Sequence, residues 1–319
     1  MFFITFNKKQ TMSRYVDSIL MIRPSSFRSN SETSVNNYFQ KLENNKLPAN
    51  LILKKALTEF DDLVEKIKAC GFKVHVFQDD LIRDTPDSIF PNNWVTFHNN
   101  KRIAIYPMYA KNRRFERNEN VIKYLENKNL VFDNIIDYSS AESDGLFLEG
   151  TGSLVLDRLN RKAYCSISER TNEKLVYEFC EDFDYMPIVF KSFHNFKYDR
   201  MPIYHTNVMM CIAGDYSIIC LESIDNEIHK KKIYQSLSDD NKEIIEISEK
   251  QLESFSGNMI ELVNENGSYL FMSETAYKAL NKNQVSRIER YSKLIYSKVD
   301  TVEKCGGGSV RCMIAEIFN

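Results

Sequence analysis

Three side chains in this sequence have the types needed for nucleophilic chemistry: the thiol of Cys312, the imidazole of His205 and the carboxylate of Glu149. Cys312 stands near the end of the chain, in Cys305-Gly306-Gly307-Gly308-Ser309-Val310-Arg311-Cys312-Met313-Ile314-Ala315. Three glycines allow φ > 0 and a close backbone approach to a ligand. A cysteine then opens a short apolar run, Met313 to Phe318. A flexible turn that hands a thiol to the start of a strand suits a nucleophile. The competing reading is a glycine turn before a core cysteine, because free cysteine is among the most buried residue types. The nucleophile needs a proton carrier and an orienting carboxylate. The thiolate is its reactive form, and a neighbouring imidazolium favours it.

The elements that must position these groups follow from periodicity. Residues 15–23 predict a buried strand ended by Pro24. Leu51, Leu53, Ala56, Leu57, Phe60, Leu63 and Ile67 predict a helix over 49–69, with Gly71 as its stop. Residues 72–77 predict a strand, and 95–97 with 103–106 a hairpin turning at Asn99-Asn100. A helix at 114–127 and a strand near Ile135 follow. The pattern then recurs: strands at 153–156 and 163–165, a helix at 171–182 and a strand at 187–190. His205 opens a strand pair at 207–212 and 217–221, followed by a helix at 227–237 and a strand at 243–247. Residues 258–263 and 268–272 predict another hairpin, with helices at 274–280 and 283–297. A last strand pair straddles the glycine turn.

These are about five rounds of paired strands, helix and single strand, each of roughly 60 residues. The alternation predicts one α/β repeat architecture, with residues 15–319 a single domain and 1–14 an N-terminal extension in which Met12 is a second candidate start. Each round places a polar group where a loop meets the first strand of its hairpin: Asp87 with Asn92 and Asn93, Glu149, His205 with Asn207, Asn258, and Cys312. If the rounds close around an axis, these points meet in one pocket. Each member has a plainer alternative. His205 follows Tyr204 in an apolar stretch and fits a hydrogen-bonded core histidine. Glu149, between Leu148 and Gly150, fits a backbone-bonded turn, and Asn207 fits a cap. Their shared repeat position favours a site.

Composition narrows the partners. The chain has 319 residues, with 42 Lys plus Arg against 44 Asp plus Glu. That balance gives no electrostatic footprint for nucleic acid or an acidic membrane surface. Seven cysteines with no CxxC pair predict reduced thiols and a cytoplasmic protein. Five histidines without HxxxH or HExxH spacing predict no metal site. The N-terminal Met1-Phe2-Phe3-Ile4-Thr5-Phe6 is too short to span a membrane and lacks the order of a signal peptide.

The segments Leu148-Glu149-Gly150-Thr151-Gly152, Tyr204-His205-Thr206-Asn207 and Gly307-Gly308-Ser309-Val310-Arg311-Cys312-Met313 resemble the guanidine-modifying, or amidinotransferase-like, superfamily. Within it the chain is similar to the citrulline utilization hydrolase family. The motifs carrying this are Met21-Ile22-Arg23-Pro24, Pro86-Asp87-Ser88-Ile89-Phe90-Pro91-Asn92-Asn93-Trp94, Tyr106-Pro107-Met108, Asn112-Arg113-Arg114 and Phe255-Ser256-Gly257-Asn258-Met259. The resemblance spans residues 18–319. It implies a five-bladed α/β propeller (the pentein fold) with the active site on its pseudo-axis and no cofactor. It also implies Cys312 as nucleophile, His205 as general acid/base and Glu149 as the carboxylate engaging substrate and histidine. Arg170, in Ser168-Glu169-Arg170-Thr171, and Arg113 match arginines that hold the substrate carboxylate, a task suited to a planar guanidinium.

The sequence departs from arginine deiminases at two positions that matter. Their aspartate two residues after the histidine is Asn207 here, and the one closing the Phe-x-x-Asp segment is Asn93. Both aspartates clamp a cationic guanidinium. Their loss favours an uncharged head group, since a buried cation without carboxylate partners costs several kcal/mol. Asn offers a donor to a ureido carbonyl and an acceptor to ureido N–H groups. The expected reaction is therefore hydrolysis of citrulline to ornithine, carbon dioxide and ammonia through a covalent cysteine intermediate. Asp87 matches a guanidinium-contacting aspartate of dimethylargininases, and Glu149 also remains. Arginine deiminase, dimethylargininase-like or amidinotransferase chemistry is accordingly the alternative. A non-catalytic binding protein on the same scaffold is a second class, because fold alone does not imply catalysis. Homo-oligomer formation through the helical faces stays open at this point.

Overall fold

The computed structural model describes residues 15–40 and 47–318. The expectations for the 1–14 extension and for Met12 fall outside the described residues. The fold is α/β, and among the described residues the strands form five three-stranded sheets and one two-stranded hairpin. Strand β1 (Ser18–Arg23) lies between β2 (Val74–Gln78), parallel to it, and the C-terminal β17 (Ala315–Ile317), antiparallel. The second sheet is β3 (Val95–His98), β4 (Arg102–Ile105) and β5 (Asn134–Asp137). The third is β6 (Val155–Asp157), β7 (Lys162–Ser166) and β8 (Met186–Phe190). After the separate hairpin β9 (Phe193–Phe196) and β10 (Asp199–Pro202) come β11 (Met210–Ile212), β12 (Tyr216–Ile219) and β13 (Glu243–Glu246). The last is β14 (Ile260–Asn264), β15 (Gly267–Ser273) and β16 (Lys293–Ser297).

Every three-stranded sheet has one antiparallel and one parallel pairing. A parallel partner needs a crossover, and helices supply it. These are α1 (Ala49–Ala69), α2 (Glu119–Glu126), α4 (Glu173–Asp182), α6 (Glu227–Asp239), and the pair α8 (Glu274–Ala279) and α9 (Lys282–Ile288). Helix α1 buries one stripe, Ile52, Ala56, Phe60, Leu63, Val64 and Ile67, at the spacing of a single helix face. Four crossover helices begin at an Asn whose side chain accepts a backbone N–H: Asn118, Asn172, Asn226 and Asn281.

The first strand of each hairpin is short and follows a tight turn. The turns are a 3₁₀ turn at Pro91–Asn93, α3 (Gly150–Ser153), α5 (Thr206–Met209), the bend ending at Asn258, and a 3₁₀ turn at Val310–Met313. This corrects three expectations. Residues 153 and 207–209 close helical turns ahead of their strands. Cys312 likewise sits on a 3₁₀ turn, and the glycine turn joins α10 (Asp300–Gly306) to it and not two strands. Gly307 caps α10 with φ of 65°, a left-handed conformation that only glycine adopts freely. The expected helix at 283–297 ends at Ile288, and residues 293–297 are β16. Tyr291 and Ser292 break the helical face, and Leu294-Ile295-Tyr296 fits the edge of a parallel pair better. The hairpin β9–β10 was not expected, and α7 (Glu249–Leu252), with its Ser248–Gln251 capping box, was also missed.

Phe60 has no exposed surface and joins Phe72, Phe271 and Ile67 in the core beneath α1. Phe60→Ala should cost about 3–5 kcal/mol through lost burial and the cavity left behind. Equilibrium denaturation measures this as a lower midpoint with an unchanged slope. A loss under about 1 kcal/mol would show that α1 packs loosely.

Candidate active site

Three of the turns bring Asn93, His205 and Cys312 to one narrow pocket, lined also by Asp87, Arg113, Arg170, Tyr204, Gly306 and Gly308. Glu149 stands behind His205, and Asn207 and Asn258 stand against the Cys312 sulfur. Cys312, His205, Glu149, Asp87, Asn93, Asn207, Arg113 and Arg170 are each at most 3% exposed. At that burial a polar side chain requires partners, so their hydrogen bonds define the site.

Glu149 is its hub. Its Oε2 lies 2.7 Å from His205 Nε2, and its Oε1 accepts from the Tyr109 N–H at 2.9 Å. Arg170 Nη1 is 3.5 Å from Oε2 and Arg113 Nη1 is 3.9 Å from it. Burial alone would raise the Glu149 pKa. Arg170, the His205 hydrogen bond and Arg113 overcome it and hold the carboxyl below the usual carboxylate range. The imidazole is shifted the other way. Burial, reinforced by Arg170 and Arg113, outweighs Glu149 and lowers the His205 pKa to about 4. His205 is therefore neutral near pH 7. Gly152 permits this crowding, since a Cβ there would lie 2.5 Å from Asn93 Nδ2 and 2.7 Å from His205 Nδ1.

The sulfur of Cys312 makes its hydrogen bonds with two amides. Asn258 Nδ2 is 3.2 Å away and Asn207 Nδ2 is 3.6 Å away. Burial raises the pKa of the six other thiols, Cys180, Cys211 and Cys220 to about 12, which keeps those three protonated at neutral pH.

The two arginines are buried, not solvated. Arg113 forks Glu116 with Nε–Oε1 and Nη2–Oε2 bonds of 2.9 Å each, and its Nη1 donates to Asn93 Oδ1 at 2.9 Å. Arg170 donates from Nε to Asn36 Oδ1 at 2.8 Å and from Nη2 to the Thr33 carbonyl at 2.7 Å, and its guanidinium lies over the Tyr204 ring. Asp87 accepts from Asn30 at 2.7 Å and Thr33 at 3.3 Å on Oδ2, while its Oδ1 has no partner. Burial raises the Asp87 pKa, against Arg113.

The sequence pattern missed two parts of this site. One is the irregular segment 24–40, which covers the cavity: Asn30 and Thr33 reach Asp87, Asn36 reaches Arg170, and Asn37 and Gln40 donate to the Gly306 carbonyl. Its polar composition matches an ordinary loop, and only the density of amides hints at another task. The other is Asn258, which stood at the right repeat position without a role.

A family model described as N,N dimethylarginine dimethylhydrolase, eukaryotic, matches residues 23–319. The chain belongs to this family. With it the chain falls within the guanidine-modifying, pentein-type superfamily that its motifs resemble. No curated protein sequence matches it. Among solved structures, it is similar to the N-terminal domain of ArgZ, an arginine dihydrolase from the ornithine-ammonia cycle in cyanobacteria, in a cysteine-to-serine variant bound to substrate. The TM-score is 0.71 at 18% identity, covering 95% of this chain and 98% of that domain. It is also similar to AgrE in a ternary complex with ornithine and NAD⁺, at TM-score 0.72 and 15% identity, covering 95% of this chain and 39% of that one. A dimethylarginine dimethylaminohydrolase variant carrying an S-methyl-L-thiocitrulline adduct matches at TM-score 0.64 and 18% identity, over 95% and 100% of the two chains. The chain spans about 40% of full-length ArgZ. Among the described residues, no helix is long and apolar enough to cross a membrane.

Buried neutral histidines make stability depend on acid. The pKa values of His205 and His194 fall to about 4 from an ordinary 6.5, and His98 lies well below that value, burial being the first cause each time. Between about pH 6.5 and 4 these histidines bind more protons in the unfolded chain, while buried carboxyls such as Glu116, raised to about 7, work in the opposite sense. The histidine contribution to stability is fully present above pH 6.5 and lost as pH falls towards 4, so His194→Gln should lose less stability than the parent over that range. Thermal melts of both proteins from pH 7.5 to 4.5 measure the difference, and parallel profiles would refute the neutral assignment of His194.

Proposed function

We propose that residues 15–319 act as one catalytic domain, a cysteine-dependent hydrolase that cleaves the ureido C–N bond of citrulline to give ornithine, carbon dioxide and ammonia. We further propose that the five sheets are the blades of a five-bladed propeller whose axis passes through the cavity. The seven free thiols suit a reducing, cytoplasmic setting.

The observation that carries the substrate is the surroundings of the sulfur. Cys312 Sγ meets the amides of Asn207 and Asn258, while both oxygens of Glu149 are already engaged by His205, Arg170 and the Tyr109 N–H. A guanidinium laid against the sulfur would face N–H donors and lack a free carboxylate there. A ureido carbonyl finds in Asn93 Nδ2 a buried donor without a partner. The family name and the solved relatives, which concern arginine, ornithine and a thiocitrulline, support a substrate with an amino-acid tail. Arg170 and Arg113 are the groups suited to its carboxylate, which at Arg170 would replace Asn36 Oδ1 and the Thr33 carbonyl.

The reaction balances with water alone. Sγ bonds to the ureido carbon as the thiol proton passes to His205. The carbon–δ-nitrogen bond breaks, the nitrogen takes that proton, and ornithine leaves. A carbamoyl thioester remains on Cys312. Water, deprotonated by His205, attacks it. The thiol takes the proton back, and carbamic acid decays to ammonia and carbon dioxide.

The second reading is hydrolysis of arginine or a methylated arginine. It is favoured by Asp87, whose Oδ1 is buried without a partner and could accept from a guanidinium. Incubation with citrulline and arginine in parallel separates the two. Citrulline should give ornithine and ammonia in equal amounts. Ornithine from arginine alone, or citrulline accumulating from arginine, would sink the ureido assignment. Cys312→Ala should lower turnover by at least about 10⁴-fold, and surviving activity would show the nucleophile to be misassigned.

A further inference from the structure

We propose that Asn258 is a catalytic residue of this centre, acting with Asn207 as the donor pair that stabilises negative charge on the Cys312 sulfur. The inference rests on the reading of Cys312 as nucleophile and adds a residue to which no role has been given.

The orientation of each amide is fixed by a backbone carbonyl, which can only accept. Asn207 Nδ2 lies 3.0 Å from the Thr151 carbonyl oxygen, and Asn258 Nδ2 lies 3.1 Å from the Asn207 carbonyl oxygen. Flipping either amide would set oxygen against oxygen, so the NH₂ assignment follows from the network. Each NH₂ has a second hydrogen within reach of Sγ, at 3.2 Å from Asn258, which shares it with Asn207 Oδ1 at 3.3 Å, and at 3.6 Å from Asn207. The carbonyl oxygens of the same amides stand further off, at 3.6 Å and 3.9 Å. The pair therefore offers the sulfur donors at closer range than acceptors. Hydrogen bonds to the charged form of a group favour that form.

Among the described residues, no other side chain is hydrogen-bonded to the sulfur. An imidazolium is the usual partner of a reactive thiolate, but His205 is neutral, and its Nε2 is bound to Glu149. The other charged or titratable groups on the cavity wall are Asp87, Arg113, Arg170 and Tyr204, with Glu149 behind His205. Arg113 is forked by Glu116 and Arg170 is held by Asn36 and Thr33, so neither guanidinium bonds the sulfur. A histidine with so low a proton affinity removes the thiol proton readily only if the sulfur left behind is itself stabilised. The two amides supply that, and they serve again when the thiolate departs from the carbamoyl intermediate.

The test uses the full chain and reads the sulfur directly. The ultraviolet absorbance of the thiolate is followed from pH 5 to 9.5 as the difference between each protein and the same protein carrying Cys312→Ala, which cancels the six other thiols. Asn258→Ala and the near-isosteric Asn258→Asp should both move the midpoint of thiolate appearance up by about one unit, a tenfold loss of thiolate at a given pH below it. The smaller Asn258→Ser, which keeps one donor, should move it part of the way. The turnover number should fall with the thiolate fraction, with KM changed less than twofold. A midpoint unmoved in the folded variants would overturn the proposal, as would Asn258→Asp keeping the parent profile. If the Ala variant does not fold, the Asp and Ser variants decide by the same readout. Retained turnover in Cys312→Ala would instead refute the nucleophile and leave the amide contact to be judged by the midpoint alone.

Discussion

The site depends on one ion kept ionised in a dry interior. Glu149 has no exposed surface, and burying a carboxylate is unfavourable unless charge and hydrogen bonds offset it. Here two guanidiniums, an imidazole and a backbone N–H do so together. The same contacts fix what surrounds it. The imidazole is tied through Nε2, with its Nδ1 edge packed against Gly152. Arg170 cannot turn towards solvent without stranding the carboxylate. The backbone is locked as well, because the Glu149 N–H donates to Ser153 Oγ, whose own hydroxyl donates to the Arg170 carbonyl. Carboxylate, arginine and histidine therefore form one coupled unit, and a change in any of them alters the electrostatics of the others.

The fold delivers this unit by repeating one device. A strand as short as β6, β11 or β17, three residues each, cannot by itself aim a side chain into a common cavity. The helical turn in front of it does. In four of the five sheets a one-turn helix or 3₁₀ turn precedes the first hairpin strand, and in the remaining one a bend ending at Asn258 takes its place. Neighbouring turns are bonded to each other: Thr151 donates to the Asn92 carbonyl, Asn207 to the Thr151 carbonyl, and Asn258 to the Asn207 carbonyl. The amides thus do two tasks, stitching successive turns together and presenting their spare atoms to the cavity. Segment 24–40 covers the opening with the same chemistry.

What could be foreseen from the sequence follows from how local the cause is. Helix α1 was legible because its apolar stripe has a single period over 21 residues. The strands were legible because β-branched and aromatic runs alternate with glycine, proline and asparagine turns. The segment 293–297 was misjudged as helix because an apolar run of that length fits either period, and its pairing with β15 is a tertiary fact. The one-turn helices before the strands were missed for the same reason, being too short to show a period. Cys312, His205 and Glu149 could be picked out by type and repeat position. Arg113 and Arg170 could not, since an isolated arginine in a near-neutral chain matches a surface residue. Only the buried partners Glu116, Asn36 and Glu149 make them interior. Asn258 was visible as a position and silent as a role, because its orientation is set by a carbonyl 51 residues away.

On the proposed reading, the choice of head group depends on the protonation of the buried carboxyls. Three carboxylates, Asp87, Glu116 and Glu149, share the interior with two guanidiniums, Arg113 and Arg170. With His205 neutral, the cluster carries −3 + 2 = −1 if every carboxyl is ionised, and zero if one is protonated. Glu149 is held ionised by its cations, whereas burial raises Asp87 and, against its Arg113 fork, Glu116 to about 7. On the proposed reading, a substrate with a zwitterionic amino-acid tail and an uncharged ureido head suits a cluster in which one of these two carboxyls is protonated. A guanidinium head would favour the ionised form of the carboxyl beside it, so selectivity between the two heads would depend on the free energy of ionising Asp87 and Glu116. Asn93 and Asn207 reinforce the neutral state, because neither adds the negative charge that an aspartate there would bring. On this account, a carboxylate at either asparagine would shift the cluster towards guanidinium-bearing substrates even with Asp87 unchanged.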